Sequence, residues 1–224
     1  LDYSAASTAA LTVNFSSAGA GTVGGTGYGT TTFSNIEKVI TGSGADVYKF
    51  AASDLNNYTL DGGAGSDTLN YASTSALTVN LASAGAGTVT GANYGTTTFS
   101  GMERFITGSG GDTFTYSAAD TTAYTIDGGL GSDKLNYASA GATSALTVTF
   151  TGASAGTVSG TGYGTTTFSN MEQFTTGAGD DTFKYINNDG NSYTIDGGGN
   201  TAAGGDKLDY SAASTAALTV NFSS

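Results

Sequence analysis

Residues 208–224 repeat residues 1–17 without a single change, and the stretch between is itself three variations on one theme. Leu1-Asp2-Tyr3 returns as Leu69-Asn70-Tyr71, as Leu135-Asn136-Tyr137 and as Leu208-Asp209-Tyr210. Ala-Leu-Thr-Val begins at Ala10, Ala76, Ala145 and Ala217, and Gly-Thr-Thr-Thr-Phe at Gly29, Gly95 and Gly164. These anchors divide the chain into units 1–68, 69–134 and 135–207, with 208–224 opening the next 207-residue period. A chain of this kind buries its apolar faces by stacking one unit on the next, so residues 1–224 form one continuous array with no internal domain boundary.

Within each unit, short segments alternate apolar and polar residues between Gly-rich turns. Leu11, Val13 and Phe15 face one way and Thr12 and Asn14 the other, the period of a half-buried strand. Nothing carries a sustained helical stripe. The decapeptide from Thr107 to Tyr116 half-matches the one from Gly128 to Tyr137 at an offset of 21 residues, which reads as one coil and about three coils per unit. The expected fold is therefore all-β, a parallel β-solenoid with the right-handed winding favoured for parallel crossovers. At this offset Phe114 stacks on Leu135, Tyr116 on Tyr137, Tyr48 on Leu69 and Phe50 on Tyr71; Phe183 and Tyr185 reach Leu208 and Tyr210 across a small insertion. The absence of proline agrees, since interior strands must donate on both edges.

Composition removes several function classes. Eighteen acidic residues against six basic ones give a net charge of −12, which repels nucleic acid and attracts cations. Thirteen Tyr and eleven Phe supply too much apolar surface for a disordered chain. No cysteine or histidine is present, so disulfides, thiol chemistry and imidazole catalysis are all excluded. No apolar run approaches the ~20 residues of a membrane span. Leu1 falls inside a repeat, and the chain is expected to continue before it.

The residues that carry chemistry lie in the turns. Gly62-Gly63-Ala64-Gly65-Ser66-Asp67-Thr68-Leu69-Asn70 and the stretch Gly128-Gly129-Leu130-Gly131-Ser132-Asp133-Lys134-Leu135-Asn136 both fit G-G-x-G-x-D-x-U-x, where U is a large apolar residue. This resembles the RTX, or haemolysin-type, calcium-binding repeat of large secreted bacterial surface proteins. The resemblance implies Ca²⁺ held between stacked turns and an extracellular or cell-surface location. Glycine lets such a turn reach positive φ, and a hard cation takes six to eight oxygens, which two neighbouring turns supply together. The 21-residue offset pairs Asp46 with Asp67 and Asp112 with Asp133, and an insertion separates Asp181 from Asp206. The pattern departs from the family in that the stacked motifs lie 21 residues apart rather than 18. In addition Thr41, Thr107 and Thr176 stand where the family has Gly, and the third pair is interrupted. The alternative reading of these motifs is a Gly-rich β-turn with an Asp suited to the turn.

Three further features recur. Glu37, Glu103 and Glu172 are the only glutamates; they either complete metal sites or close turns by accepting backbone N–H groups, and their distance from the Asp motifs favours closure. Thr triplets at 30–32, 96–98 and 165–167 suggest an ice-binding face, weakened by their recurring only once per unit. Tyr28, Tyr94 and Tyr163 either stack on glycans or pack on a neighbouring coil. Nothing breaks the repeat as an active site would. The expected function is structural and non-enzymatic: a calcium-stabilised segment of an adhesin, matrix protein, surface layer or filament. Such a segment would continue in a longer chain or associate head to tail. The alternatives are a module binding ice or cell-surface glycans, and an accessory region of a secreted RTX enzyme.

Overall fold

Two-residue alternation fixes the strands. In β1 (Leu11–Ser17) Leu11, Val13 and Phe15 are buried while Thr12 faces out. The computed structural model describes residues 1–5, 8–17, 19–51, 53–187, 190–200 and 204–213; most of the exact 208–224 repeat lies outside them. Seven strands recur three times. The first series continues with β2 (Ala20–Gly25), β3 (Tyr28–Phe33), β4 (Lys38–Ile40), β5 (Val47–Phe50), β6 (Tyr58–Asp61) and β7 (Thr68–Ser73), the last of which opens unit 2. The second is β8 (Leu77–Ser83), β9 (Ala86–Gly91), β10 (Tyr94–Ser100), β11 (Arg104–Gly108), β12 (Thr113–Tyr116), β13 (Tyr124–Asp127) and β14 (Lys134–Asn136), which opens unit 3. The third is β15 (Leu146–Gly152), β16 (Ala155–Gly160), β17 (Tyr163–Ser169), β18 (Gln173–Gly177), β19 (Thr182–Tyr185), β20 (Thr194–Gly198) and β21 (Lys207–Asp209), which opens the next period.

These strands form a 12-stranded and a 9-stranded sheet that share one apolar core, and the chain crosses from one to the other after every strand except within three hairpin meanders. The 21-residue offset is the pairing register: Tyr48 opposes Leu69 and Phe50 opposes Tyr71 in parallel β5 and β7, and Phe114 opposes Leu135 in β12 and β14. Phe183 opposes Leu208 despite the insertion.

The expectation of three wholly parallel coils per unit needs correction. Three successive strands of each unit form an antiparallel meander within one sheet: β1-β2-β3, β8-β9-β10 and β15-β16-β17. A unit thus makes five passes between the sheets, one of them three strands wide. The cause is turn chemistry. Ser83 pairs with Ala86 across Ala84 and Gly85, both at positive φ (49° and 70°), the two-residue hairpin whose twist matches its strands.

Five is an odd number, so each unit starts on the sheet opposite its predecessor. Asp2 bridges Ile40 in the 9-stranded sheet, and its counterpart Asn70 lies in the 12-stranded one. Asn136 returns to the 9-stranded sheet, and Asp209 to the 12-stranded. Successive units are therefore related by a half-turn about the stacking axis.

The core between the sheets holds ladders of stacked rings. Phe50 lies between Phe15 and Tyr71, with ring centroids 4.5 Å away on each side and planes within 9° and 3° of its own. Tyr116 stacks on Tyr137 at 4.1 Å and Tyr185 on Tyr210 at 4.2 Å. Of the two readings for the recurring turn tyrosines, packing is the one observed: Tyr94 meets Tyr71 edge-on at 5.1 Å and Tyr163 meets Tyr137 at 5.3 Å. Offset and edge-on aromatic pairs each add about 0.5–1.5 kcal/mol beyond the area they bury.

Candidate functional site

The G-G-x-G-x-D turns join β6 to β7 and β13 to β14, and their glycines are required by the stacking. Gly63 (φ 81°) and Gly129 (φ 86°) lie so close over the turn below that a Cβ would fall 2.1 Å from the Gly42 carbonyl oxygen and 1.8 Å from that of Gly108. Gly65 and Gly131 sit at φ near 137° over Gly44 and Gly110 in the same way. Only glycine allows turns to stack at strand spacing here.

The aspartates turn inward, and Asp46, Asp67, Asp112 and Asp133 are 0% exposed. Each places one carboxylate oxygen under the backbone of an adjacent layer. Oδ1 of Asp46 accepts Leu11 N–H at 2.7 Å, Oδ1 of Asp67 accepts Asp46 N–H at 2.7 Å, and Oε2 of Glu103 accepts Asp67 N–H at 2.9 Å. The second unit repeats this with Asp112 on Leu77, Asp133 on Asp112 and Glu172 on Asp133, at 2.7, 2.6 and 3.0 Å. In the third, Asp181 accepts from Leu146 and Asp206 from Asp181 at 2.7 and 2.9 Å, so the interrupted pair still forms. The result is one short carboxylate ladder in the turns of each unit. Two of the three glutamates close turns, and Glu37 makes no such bond among the described residues. A buried backbone N–H left without an acceptor would cost ~1–3 kcal/mol at each rung.

Thr41, Thr107 and Thr176, the departures from the motif, have a role in this ladder. Each is buried and donates its hydroxyl to the carbonyl of the first motif glycine one coil on: Gly62, Gly128 and Gly197, at 3.1, 3.1 and 3.2 Å. Two further turn carbonyls are engaged as well, with Ala64 N–H on Gly42 and Leu130 N–H on Gly108.

What remains is the second carboxylate oxygen. Oδ2 of Asp67, Asp112, Asp133 and Asp181 is buried without a hydrogen-bond partner. Burial, helped by the neighbouring carboxylates Asp46, Glu103 and Asp61, pushes Asp67 up to about 7 from an ordinary 3.8, against the opposing hydrogen bond from Asp46. Asp133 is likewise pushed up to about 7, by burial first and then Asp112, Glu172 and Asp127. Burial also raises Asp112 and Asp181. An oxygen in this state calls for a proton or a cation. Among the described residues no three acidic side chains converge as a cluster for a metal ion. The donors suit a hard cation in chemical type, since every candidate atom is an oxygen, and such an ion would be held by these Oδ2 atoms and the stacked turn backbone.

The structure adds a second buried acid that the motifs did not reveal. At the opposite corner the Tyr58 hydroxyl donates to Asp54 Oδ2 and accepts Gly19 N–H at 2.8 Å, which ties the corner to a hairpin turn 39 residues earlier. Tyr124 joins Asp120 to Gly85 N–H in the same way. Burial raises both tyrosines, and the bond to a carboxylate raises them further. The signal in the sequence is Asp-x-x-x-Tyr, recurring at 54/58, 120/124 and 189/193. Tyr58→Phe removes both hydrogen bonds while keeping the ring, and is expected to cost ~1–3 kcal/mol in urea denaturation. An unchanged midpoint would show that the corner is held by packing alone.

Compared with known proteins, the chain matches no family model, no curated sequence and no solved structure. No helix among the described residues is long and apolar enough to cross a membrane.

Proposed function

We propose that this chain is a β-solenoid segment of an extracellular rod, serving an adhesin, matrix protein, surface layer or filament as a stiff spacer rather than as a catalyst. The observation that carries this reading is continuity of pairing: both sheets run through all three units with every neighbouring strand hydrogen-bonded, and each unit rebuilds its own ring stack and carboxylate ladder. The G-G-x-G-x-D turns support kinship with the RTX repeat, and the orphaned Oδ2 atoms support calcium as a further stabiliser. Bound there, Ca²⁺ would supply the positive charge that stacked carboxylates lack.

Among the described residues, twenty-one strands shared by two sheets make about ten and a half layers, or ~50 Å per 207-residue period at ~4.8 Å per strand. Tandem chains of one, two and three periods, viewed by electron microscopy, should be threads of constant width that lengthen by ~50 Å per period. Rounded particles, or lengths that do not grow in proportion, would overturn the rod.

A further inference from the structure

We infer that the outward faces of the two sheets form an ice-binding surface. The Thr triplets alone do not make such a face, because the middle residue of the second and third turns inward: Thr97 accepts the Tyr71 hydroxyl at 2.8 Å and Thr166 that of Tyr137 at 3.1 Å. The pairing registers bring other residues into line with the outer two. Across β6, β10, β9, β8 and β12 the outward positions in one row are Thr59, Thr98, Thr88, Asn80 and Thr115. Two residues along, Thr90, Thr78 and Thr113 form a second row. Lys38 borders the first row beyond Thr59, and Lys134 the second beyond Thr113. Between them the two rows hold neither a charge nor an aromatic ring.

The half-turn between units places a second lattice on the opposite face. There Thr125, Thr167, Thr157 and Thr149 run in register across β13, β17, β16 and β15. Neighbours within a row lie ~4.8 Å apart across the strands, and the rows lie ~6.7 Å apart along them. Those spacings are close to the oxygen repeats on the faces of hexagonal ice.

The chemistry favours water over other ligands. Threonine is stiff about χ1, so the sheet fixes both its methyl and its hydroxyl. The hydroxyl donates and accepts, as a water molecule does. The threonine hydroxyls of these two rows make no hydrogen bond within the described structure, so they are available to an external lattice. A sugar ring would want an aromatic platform, and a charged polymer a counter-charge; the rows offer neither. Immobilising a bridging water costs entropy in solution, but ice presents its waters already fixed.

The test uses the full 224-residue chain and ice itself. Fluorescently labelled protein should be taken up by a growing single crystal of ice, and the unlabelled chain should inhibit recrystallisation. Thr88→Tyr blocks one face and should weaken inhibition. Adding Thr157→Tyr and Thr22→Tyr, the latter between Asn14 and Thr32 in the same 12-stranded sheet, blocks the other face, and at least tenfold more protein should then be needed. Circular dichroism checks that the sheets persist. If the tyrosines disturb them, Thr→Lys at the same three sites serves instead, since Lys49, Lys134 and Lys184 already stand on these faces. Exclusion of the wild-type chain from ice, or inhibition unchanged in a folded triple variant, overturns the inference. Neither result bears on the rod, which is read from thread length.

Discussion

Tyr116→Ala is expected to cost about 3–5 kcal/mol, the range for emptying a buried aromatic site. The ring is 1% exposed, stacks on Tyr137 and meets Tyr124 and Tyr163 edge-on at 5.9 and 6.0 Å. Tyr124 and Tyr163 belong to strands held in register, and Tyr137 is tied through its N–H to Thr175, so the cavity cannot collapse without breaking those bonds. Phe114→Ala should cost as much, for Phe114 is 0% exposed and paired with Val79 on one side and Leu135 on the other. Tyr116→Phe keeps the stack and loses only the hydroxyl contact with Thr166, a change of about 1 kcal/mol. Chemical denaturation of the three variants decides the matter. Equal, small losses for both alanines would mean that the ladder is not the core.

The second large effect concerns the turns. Asp67→Ala with Asp133→Ala removes the acceptors for Asp46 and Asp112 N–H, and should cost ~1–3 kcal/mol at each site whatever the metal. Asp67→Asn with Asp133→Asn keeps an oxygen for each N–H but cannot carry the charge a cation needs. Calcium is therefore expected to raise the melting temperature of the wild type at pH 8, and EDTA to reverse the gain. The asparagine pair should be indifferent to both. Identical wild-type melting in calcium and in EDTA would sink the metal proposal and leave the hydrogen-bonded ladder standing.

The same carboxyls set a pH dependence in the absence of metal. Asp67 and Asp133 titrate near 7 when folded and near 3.8 when unfolded. A raised acid pKa means that the folded state binds the proton more tightly. The stabilisation is thus complete below about pH 3.8 and is lost as pH rises through 7. In EDTA, melting temperature should rise as pH falls from 8 to 5, and calcium should matter at the upper end only, where the proton has left. A metal-free melting temperature that falls over that range would contradict the burial of these groups.

Stacking was legible in the sequence because it is local in register. Once the G-x-G-x-D turns are aligned, the 21-residue offset places Phe50 on Tyr71 and Asp46 by Asp67, and the contacts follow from strand geometry. The meander was not legible. Glycine-bearing turns such as 83–86 and 91–94 mark its hairpins, but folding back and crossing to another sheet both begin with such a turn. The direction of the aspartates was equally hidden. The motif asks for an Asp in the turn and does not say whether its carboxylate faces solvent, a cation or the backbone N–H of the adjacent layer. Threonine at 41, 107 and 176 was the clue, for a hydroxyl that occupies a turn carbonyl belongs to a hydrogen-bonded ladder. The Thr lattice was undercounted for the same reason as the meander: Thr59, Thr88 and Thr115 lie far from the triplets in sequence and join Thr98 only through pairing across the sheet.

The half-turn between units gives copy number a meaning beyond length. Duplicating or deleting one ~67-residue unit carries every downstream residue to the opposite side of the rod, whereas changing the count by two restores each to its original side. The 207-residue period holds three units, an odd number, so in a tandem gene two adjacent identical copies would show opposite sides to the same neighbour. A mutation fixed in every copy would then decorate the rod on both sides equally. Recombination that gains or loses a single unit would act as a switch of facing, with no change in the composition of what is displayed.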